Sequence, residues 1–136
     1  MSFKYLEVML SMQEIIIDTN FFVLISNKKI DIFQEIRRLV IGDYKLLITT
    51  KIFNELKTIS KKNQDAKFGL KVLEDKINKK QIEIIENYQH PDDFIPIFAK
   101  EHELIVCTND ADLRKKSKKA GAKVISLRAN KRLDFI

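Results

Sequence analysis

The chain has 136 residues, 45% of them hydrophobic, which is enough for one compact domain with a real core. Its 25 Lys and Arg against 19 Asp and Glu leave a formal net charge of +6, which favours an anionic partner such as nucleic acid, although a lysine-rich solvated surface gives the same count. The single cysteine, Cys107, excludes an intramolecular disulfide and a multi-cysteine zinc knuckle, and no apolar run approaches the ~20 residues that span a bilayer. A cytoplasmic location without a membrane partner is therefore expected. The opening MSFKYLEVMLSM is interrupted by Lys4 and Glu7 and lacks a signal-peptide core, and Met12 can serve as the start. A single domain over 1–136 is expected, with residues 1–11 a dispensable extension.

Ile15–Ile17 is a short, continuous apolar run, as a strand covered on both faces requires, and it ends on Asp18, Thr19 and Asn20. Ile32, Phe33, Ile36, Leu39 and Val40 recur at helical spacing, with Gly42 as the stop. KLLIT at 45–49 predicts a second strand. Thr50 then fits an N-cap for a helix with Ile52, Phe53, Leu56 and Ile59 as its apolar stripe. The polar SKKNQD precedes another amphipathic helix, AKFGLKVLEDKI, and QIEIIE reads as a third strand. HPDDFIPIFAKEH begins as a turn and becomes helical, and ELIVCTND is a fourth strand. Asn109 to Lys119 is a basic helix stopped by Ala120-Gly121, AKVISL a fifth strand, and RANKRLDFI a basic, then apolar, trailing segment. Strands alternating with helices predict a three-layer α/β/α fold around a mainly parallel sheet of about five strands.

In such a sheet, ligands bind beyond the C-terminal ends of the strands. Asp18 ends the first strand and Glu55 lies early on the helix after the second. Asp92 and Asp93 open the helix after the third strand, and Asp110 and Asp112 follow the fourth. Individually, Asp92 fits an N-cap, Asp93 the positive end of a helix dipole, Asp110 and Asp112 a helix start, and Glu55 a solvated face. Asp18, terminating a buried strand, is the hardest to assign to capping alone. Clustered carboxylates need a compensating charge, and oxygen ligands select hard divalent ions that activate water against a phosphodiester.

From Glu14 onward these residues resemble the PIN-domain ribonucleases. Asp18-Thr19-Asn20 matches the family's D-x-N motif, Glu55-Leu56 its second acid, Asp93 in DDFIPIFA its third, and Thr108-Asn109-Asp110 its fourth, with Asp112 an additional acid. The stretch TNDADLRKKSKKAGAKVISLR is similar to the archaeal single-domain group related to rRNA-processing PIN proteins, and it overlaps with toxin-type members. The resemblance implies that Asp18, Glu55, Asp93, Asp110 and Asp112 hold one or two Mg²⁺ or Mn²⁺ ions. Asn20, Thr108 and Asp92 would support them from outside. A metal-activated water would cleave RNA, single-stranded or structured, leaving a 5′-phosphate and a 3′-hydroxyl. A homodimer and an antitoxin or ribosome-assembly partner are also implied. Pro96 departs from the family's helix formers.

Lys115, Lys116, Lys118 and Lys119, with Arg128, Lys131 and Arg132, form two basic groups that can receive phosphates or simply solvate a surface. His90 and His102 read as incidental surface residues, and Tyr88 as a buried or half-buried aromatic rather than a base-stacking one. A receiver domain is disfavoured because the third strand ends on Glu86-Asn87 in place of an acceptor Asp, and a dinucleotide-binding domain lacks its G-x-G-x-x-G turn. A non-catalytic RNA-binding or assembly module of the same fold is the remaining alternative, and the presence of all four acids argues against it.

Overall fold

The computed structural model describes residues 12–129 and 131–136, so the extension expected at 1–11 lies outside the described residues. In chain order the elements are β1 (Gln13–Ile17), α1 (Thr19–Asn27), α2 (Ile32–Leu39), β2 (Tyr44–Thr49), α3 (Thr50–Ser60) and α4 (Gln64–Asn78). They continue with β3 (Ile82–Ile85), α5 (Pro91–Ala99), β4 (Leu104–Cys107), α6 (Ala111–Lys119), β5 (Lys123–Arg128) and β6 (Arg132–Phe135). The sheet has the order β3-β2-β1-β4-β5-β6, parallel except for β6. Helices α1, α3 and α4 pack together on one face and α5 with α6 on the other, the three-layer α/β/α arrangement expected from the alternation. Among the described residues, no helix is long and apolar enough to cross a membrane.

β1 is the centre of this arrangement. Ile15, Ile16 and Ile17 are fully buried because helices cover both faces of the strand, which is why the sequence shows a continuous apolar run. The chain leaves β1 toward β2 on one side, while β4 pairs on the other. The topological switch point of the sheet thus lies between β1 and β4, and a crevice opens beyond their C-terminal ends. Cys107, at the end of β4, is buried, and desolvation pushes its thiol far above the ordinary value, so it is inert packing.

Several local expectations need correction. TNFFVLISN forms α1, a helix outside the elements expected from the sequence, with Phe21 and Phe22 fully buried. The N-cap of α3 is Thr49, whose hydroxyl accepts from Ile52 N–H at 3.1 Å, and Thr50 is the first helical residue. Asp92 does not cap α5. His90 does, its Nδ1 accepting from Asp92 N–H at 3.1 Å, because Pro91 needs no N–H partner and its fixed φ suits the first helical position. His102 is not incidental either: it stacks on Phe98 with ring centroids 3.8 Å apart and pairs with Glu14 at 2.5 Å. Gly42, at φ +92°, serves the turn into β2 rather than the end of α2, which closes at Val40.

The segment expected to trail away is β6. A turn with Lys131 at φ +66° reverses the chain, and Leu133 is fully buried. The outward-facing backbone of this edge strand is covered by α2: Glu35 Oε1 accepts from Leu133 N–H at 3.0 Å, and Arg38 Nη2 donates to Leu133 C=O at 2.8 Å. Such side-chain cover blunts an edge that would otherwise offer unpaired hydrogen-bonding groups.

α1 meets α4 at Gly69, where an added Cβ would stand 2.3 Å from the Phe22 carbonyl oxygen. Helix propensity alone would make Gly69→Ala stabilising by about 1 kcal/mol, whereas the backbone clash predicts a net loss of about 2 kcal/mol as the helices are forced apart. A lower denaturation midpoint for this variant is the expected result, and a raised one would mean that the helices do not approach so closely.

Candidate active site

The end of β1 delivers Asp18 into the crevice at the switch point, where it is 8% exposed. Its backbone is in extended geometry, its N–H bonds to Cys107 C=O at 2.9 Å, and its Oδ1 accepts from Thr19 N–H at 2.8 Å as the N-cap of α1. The carboxylate therefore does two things at once, capping a helix and facing the crevice. Its Oδ2 accepts from Thr108 Oγ1 at 2.7 Å and from Asn20 Nδ2 at 3.4 Å. Thr108 is fully buried, and its carbonyl accepts from the Ser126 hydroxyl, which ties the end of β4 to β5.

Two more carboxylates reach the same place. Glu55, on the second turn of α3, accepts from Thr19 Oγ1 at 3.1 Å through Oε2, and its other oxygen lies 3.9 Å from Lys51 Nζ. Asp110 caps α6, its Oδ1 accepting from Leu113 N–H at 2.9 Å, while its own N–H donates to Thr108 Oγ1 at 3.1 Å. Burial pushes Asp18 above the ordinary carboxylate value of 3.8, the hydrogen bonds from Thr108 and Thr19 oppose this, and repulsion from Glu55 and Asp110 adds to it. Asp18, Glu55 and Asp110 thus share one electrostatic environment even though their segments are remote in sequence.

The paired acids of α5 divide. Asp92 is partly buried, and its Oδ2 takes Lys116 Nζ of α6 at 3.3 Å, while its Oδ1 lies 3.8 Å from His90 Nδ1. Asp93 and Asp112 are exposed on the first turns of α5 and α6. Among the described residues, no three His, Cys, Asp or Glu side chains stand close enough to enclose an ion as they are. The donor set nevertheless suits a hard divalent cation. It is all oxygen, its charges repel, and Glu55 and Asp110 each use only one oxygen in the hydrogen bonds described.

Asn20 accepts from Asn109 N–H at 3.4 Å, and Asn109 Oδ1 accepts from Leu127 N–H at 2.9 Å, linking the β1 end through β4 to β5. Arg128 and Arg132 face each other in register across the β5–β6 hairpin, with Lys131 in its turn, all exposed at the same sheet edge. Lys115 and Lys116 lie midway along α6, whereas Lys119 ends it, farthest from the carboxylates. Thr19 is the contributor that the sequence did not single out. Its place beside Asp18 in the D-x-N motif was the available signal, and its contact to Glu55 spans two crossovers.

The family described as PIN like domain matches residues 15–130. Ribonuclease VapC4 of Methanocaldococcus jannaschii is 31% identical over 125 residues, covering 88% of this chain and 94% of that protein. Ribonuclease VapC9 of Archaeoglobus fulgidus is 28% identical over 123 residues, covering 87% and 85% respectively. The structure of the PIN domain endonuclease Utp24 superposes with a TM-score of 0.73 over 90% of both chains at 24% identity, a likeness of fold.

A carboxylate raised in the folded state lends stability that is present in full below its ordinary value of 3.8 and lost as pH rises through its folded value. Without added divalent ions, Asp18→Asn should therefore melt above the wild type at neutral pH. The gap should close on acidification, as thermal scans across pH would register. An Asn variant less stable at neutral pH would mean that the altered hydrogen bonding to Thr108 outweighs the relieved charge.

Proposed function

The chain belongs to the PIN-like domain family, and we propose that it is a divalent-metal-dependent ribonuclease, acting as the toxin of a toxin–antitoxin pair. The observation that carries this reading is the buried, repelled carboxylate of Asp18 at the switch point, with Glu55 and Asp110 beside it. Two relatives named as ribonucleases support RNA as the substrate. The basic surplus of +6 supports a polyanion in general. The catalytic unit is one domain built on the core from β1 to β6, with residues 1–11 dispensable.

Asp18, Glu55 and Asp110 would hold one or two Mg²⁺ or Mn²⁺ ions. Of the paired acids, the motif resemblance points to Asp93, but Asp92 is the one turned toward α6 and already matched to a cation, Lys116. We assign the fourth carboxylate to Asp92 and leave Asp93 and Asp112 as outer acids. A divalent ion, when bound, supplies Lewis-acid polarisation of the phosphodiester and a more acidic water. The chain's own residues do the positioning. Thr108 and Thr19 fix the Asp18 carboxylate from two directions, Thr19 also holds Glu55, and Asn20 braces Asp18 against Asn109. Lys115 and Lys116 on one side, and Arg128, Lys131 and Arg132 on the other, can receive the phosphates flanking the scissile bond.

Labelled RNA incubated with Mn²⁺ or Mg²⁺ should be cleaved to 5′-phosphate and 3′-hydroxyl ends, and EDTA should stop the reaction. Asp18→Asn, Glu55→Gln and Asp110→Asn should each lower the rate by more than the roughly 10–100-fold that loss of an outer-shell partner costs. Asp92→Asn should cost more than Asp93→Asn. Mn²⁺ should raise the melting temperature of the wild type and leave that of Asp18→Asn unchanged. Full cleavage in EDTA, or by correctly folded acid variants, would refute the assignment.

A further inference from the structure

We propose that Tyr88 is a stacking platform for an unpaired RNA base beside the carboxylates, so that the substrate is single-stranded where it is cut; this inference rests on the ribonuclease reading. Contrary to the expectation of a buried or half-buried ring, Tyr88 is 64% exposed. Isolated exposed apolar side chains are ordinary, so exposure alone carries nothing. What distinguishes Tyr88 is the stretch of backbone that carries it.

The connection from β3 to α5 runs along the C-terminal edge of the sheet and is anchored at both ends. At its start, Asn87 C=O accepts from Lys51 N–H at 3.0 Å and Asn87 N–H donates to Thr50 Oγ1 at 3.1 Å, which fixes it to the beginning of α3, the helix of Glu55. Thr50 Oγ1 in turn donates to Ile85 C=O at 3.2 Å. Gln89 N–H donates to Asn87 Oδ1 at 2.9 Å, closing an Asx turn around Tyr88 itself. At its end, His90 caps α5, Pro91 is buried, and Asp92 is paired with Lys116 of α6. Tyr88 is therefore carried on a braced span between the helix of Glu55 and the helix capped by Asp110. Among the exposed large apolar residues described, Tyr88 and Phe68 are the aromatic ones, and Phe68 lies on α4 rather than on this span.

An aromatic ring carried on a braced stretch of backbone and left open to solvent offers a face to a base, and every base has a π-face of its own. Lys51, whose N–H bonds Asn87 at the start of the span, and Lys116, paired with Asp92 at its end, add cations to the span that carries the ring. A base within a duplex is already stacked and paired and cannot lie on the ring, which is why the platform selects an unpaired strand.

The chain contains no Trp, so Tyr88→Trp introduces a fluorophore that reports from this position alone. The protein is titrated in EDTA, to prevent cleavage, with a short oligouridine, an abasic RNA of the same length and a duplex RNA. Oligouridine should quench the indole, and the abasic and duplex RNAs should not. By anisotropy, Tyr88→Ala should bind oligouridine about 10-fold more weakly than the wild type, and Tyr88→Phe should bind like it. Binding without quenching, equal affinity for the abasic strand, or an unaffected Tyr88→Ala would overturn the platform and leave the ribonuclease reading standing. Failure of the wild type to bind any RNA would overturn the platform, and the separate cleavage assay, read at the acids rather than at position 88, decides whether the ribonuclease reading falls with it.

Discussion

A carboxylate buried at the end of the central strand is the constraint around which the rest of the molecule is arranged. Asp18 sits in a place where ionisation is opposed by desolvation and by two neighbouring acids. It is tolerated because its oxygens are occupied: Thr19 N–H on one, the Thr108 hydroxyl and the Asn20 amide on the other. Each of these partners is itself held. Thr108 is buried and bonded to Ser126, and Asn20 is braced by Asn109, so the ends of β1, β4 and β5 form one connected unit.

Helix capping and site building use the same atoms here. Asp18 caps α1 and Asp110 caps α6, so the residues that begin the helices are also those that line the crevice. Helices α1, α3, α5 and α6 each follow a parallel strand and so start at the same edge, where their positive dipole ends partly offset the clustered negative charge. The choice between cap and site at the end of β1 is thus a false alternative, since the geometry that suits one suits the other.

Much of this was legible in the chain. A fully apolar strand ending on an acid and the strand–helix alternation follow from local patterns and are present in the structure, and of the acids on successive crossovers Asp18, Glu55 and Asp110 come together. The misses have physical reasons. Phe21, Phe22, Val23, Leu24 and Ile25 are apolar on every side, so α1 shows no helical stripe to detect. β6 is four residues long and gains its place from Glu35 and Arg38, nearly a hundred positions earlier. Which of Asp92 and Asp93, about 100° apart in helix rotation, meets Lys116 was likewise not legible, since only the packing of α5 on α6 decides it. Tyr88, expected to be buried or half-buried, is exposed on the connection that the Asx turn at Asn87 shapes.

The hydrogen bond from Thr108 to Asp18 joins residues 90 positions apart, across a strand pair that cannot form until β4 exists. Synthesis runs from the N-terminus onward, and a domain generally folds as a unit. A chain that has not yet reached Thr108 lacks the partner that steadies Asp18, the strand that walls the crevice and the acid that follows it. The crevice is therefore complete only late in the making of each chain, and a truncated product of interrupted synthesis carries Asp18 without the residues that steady it.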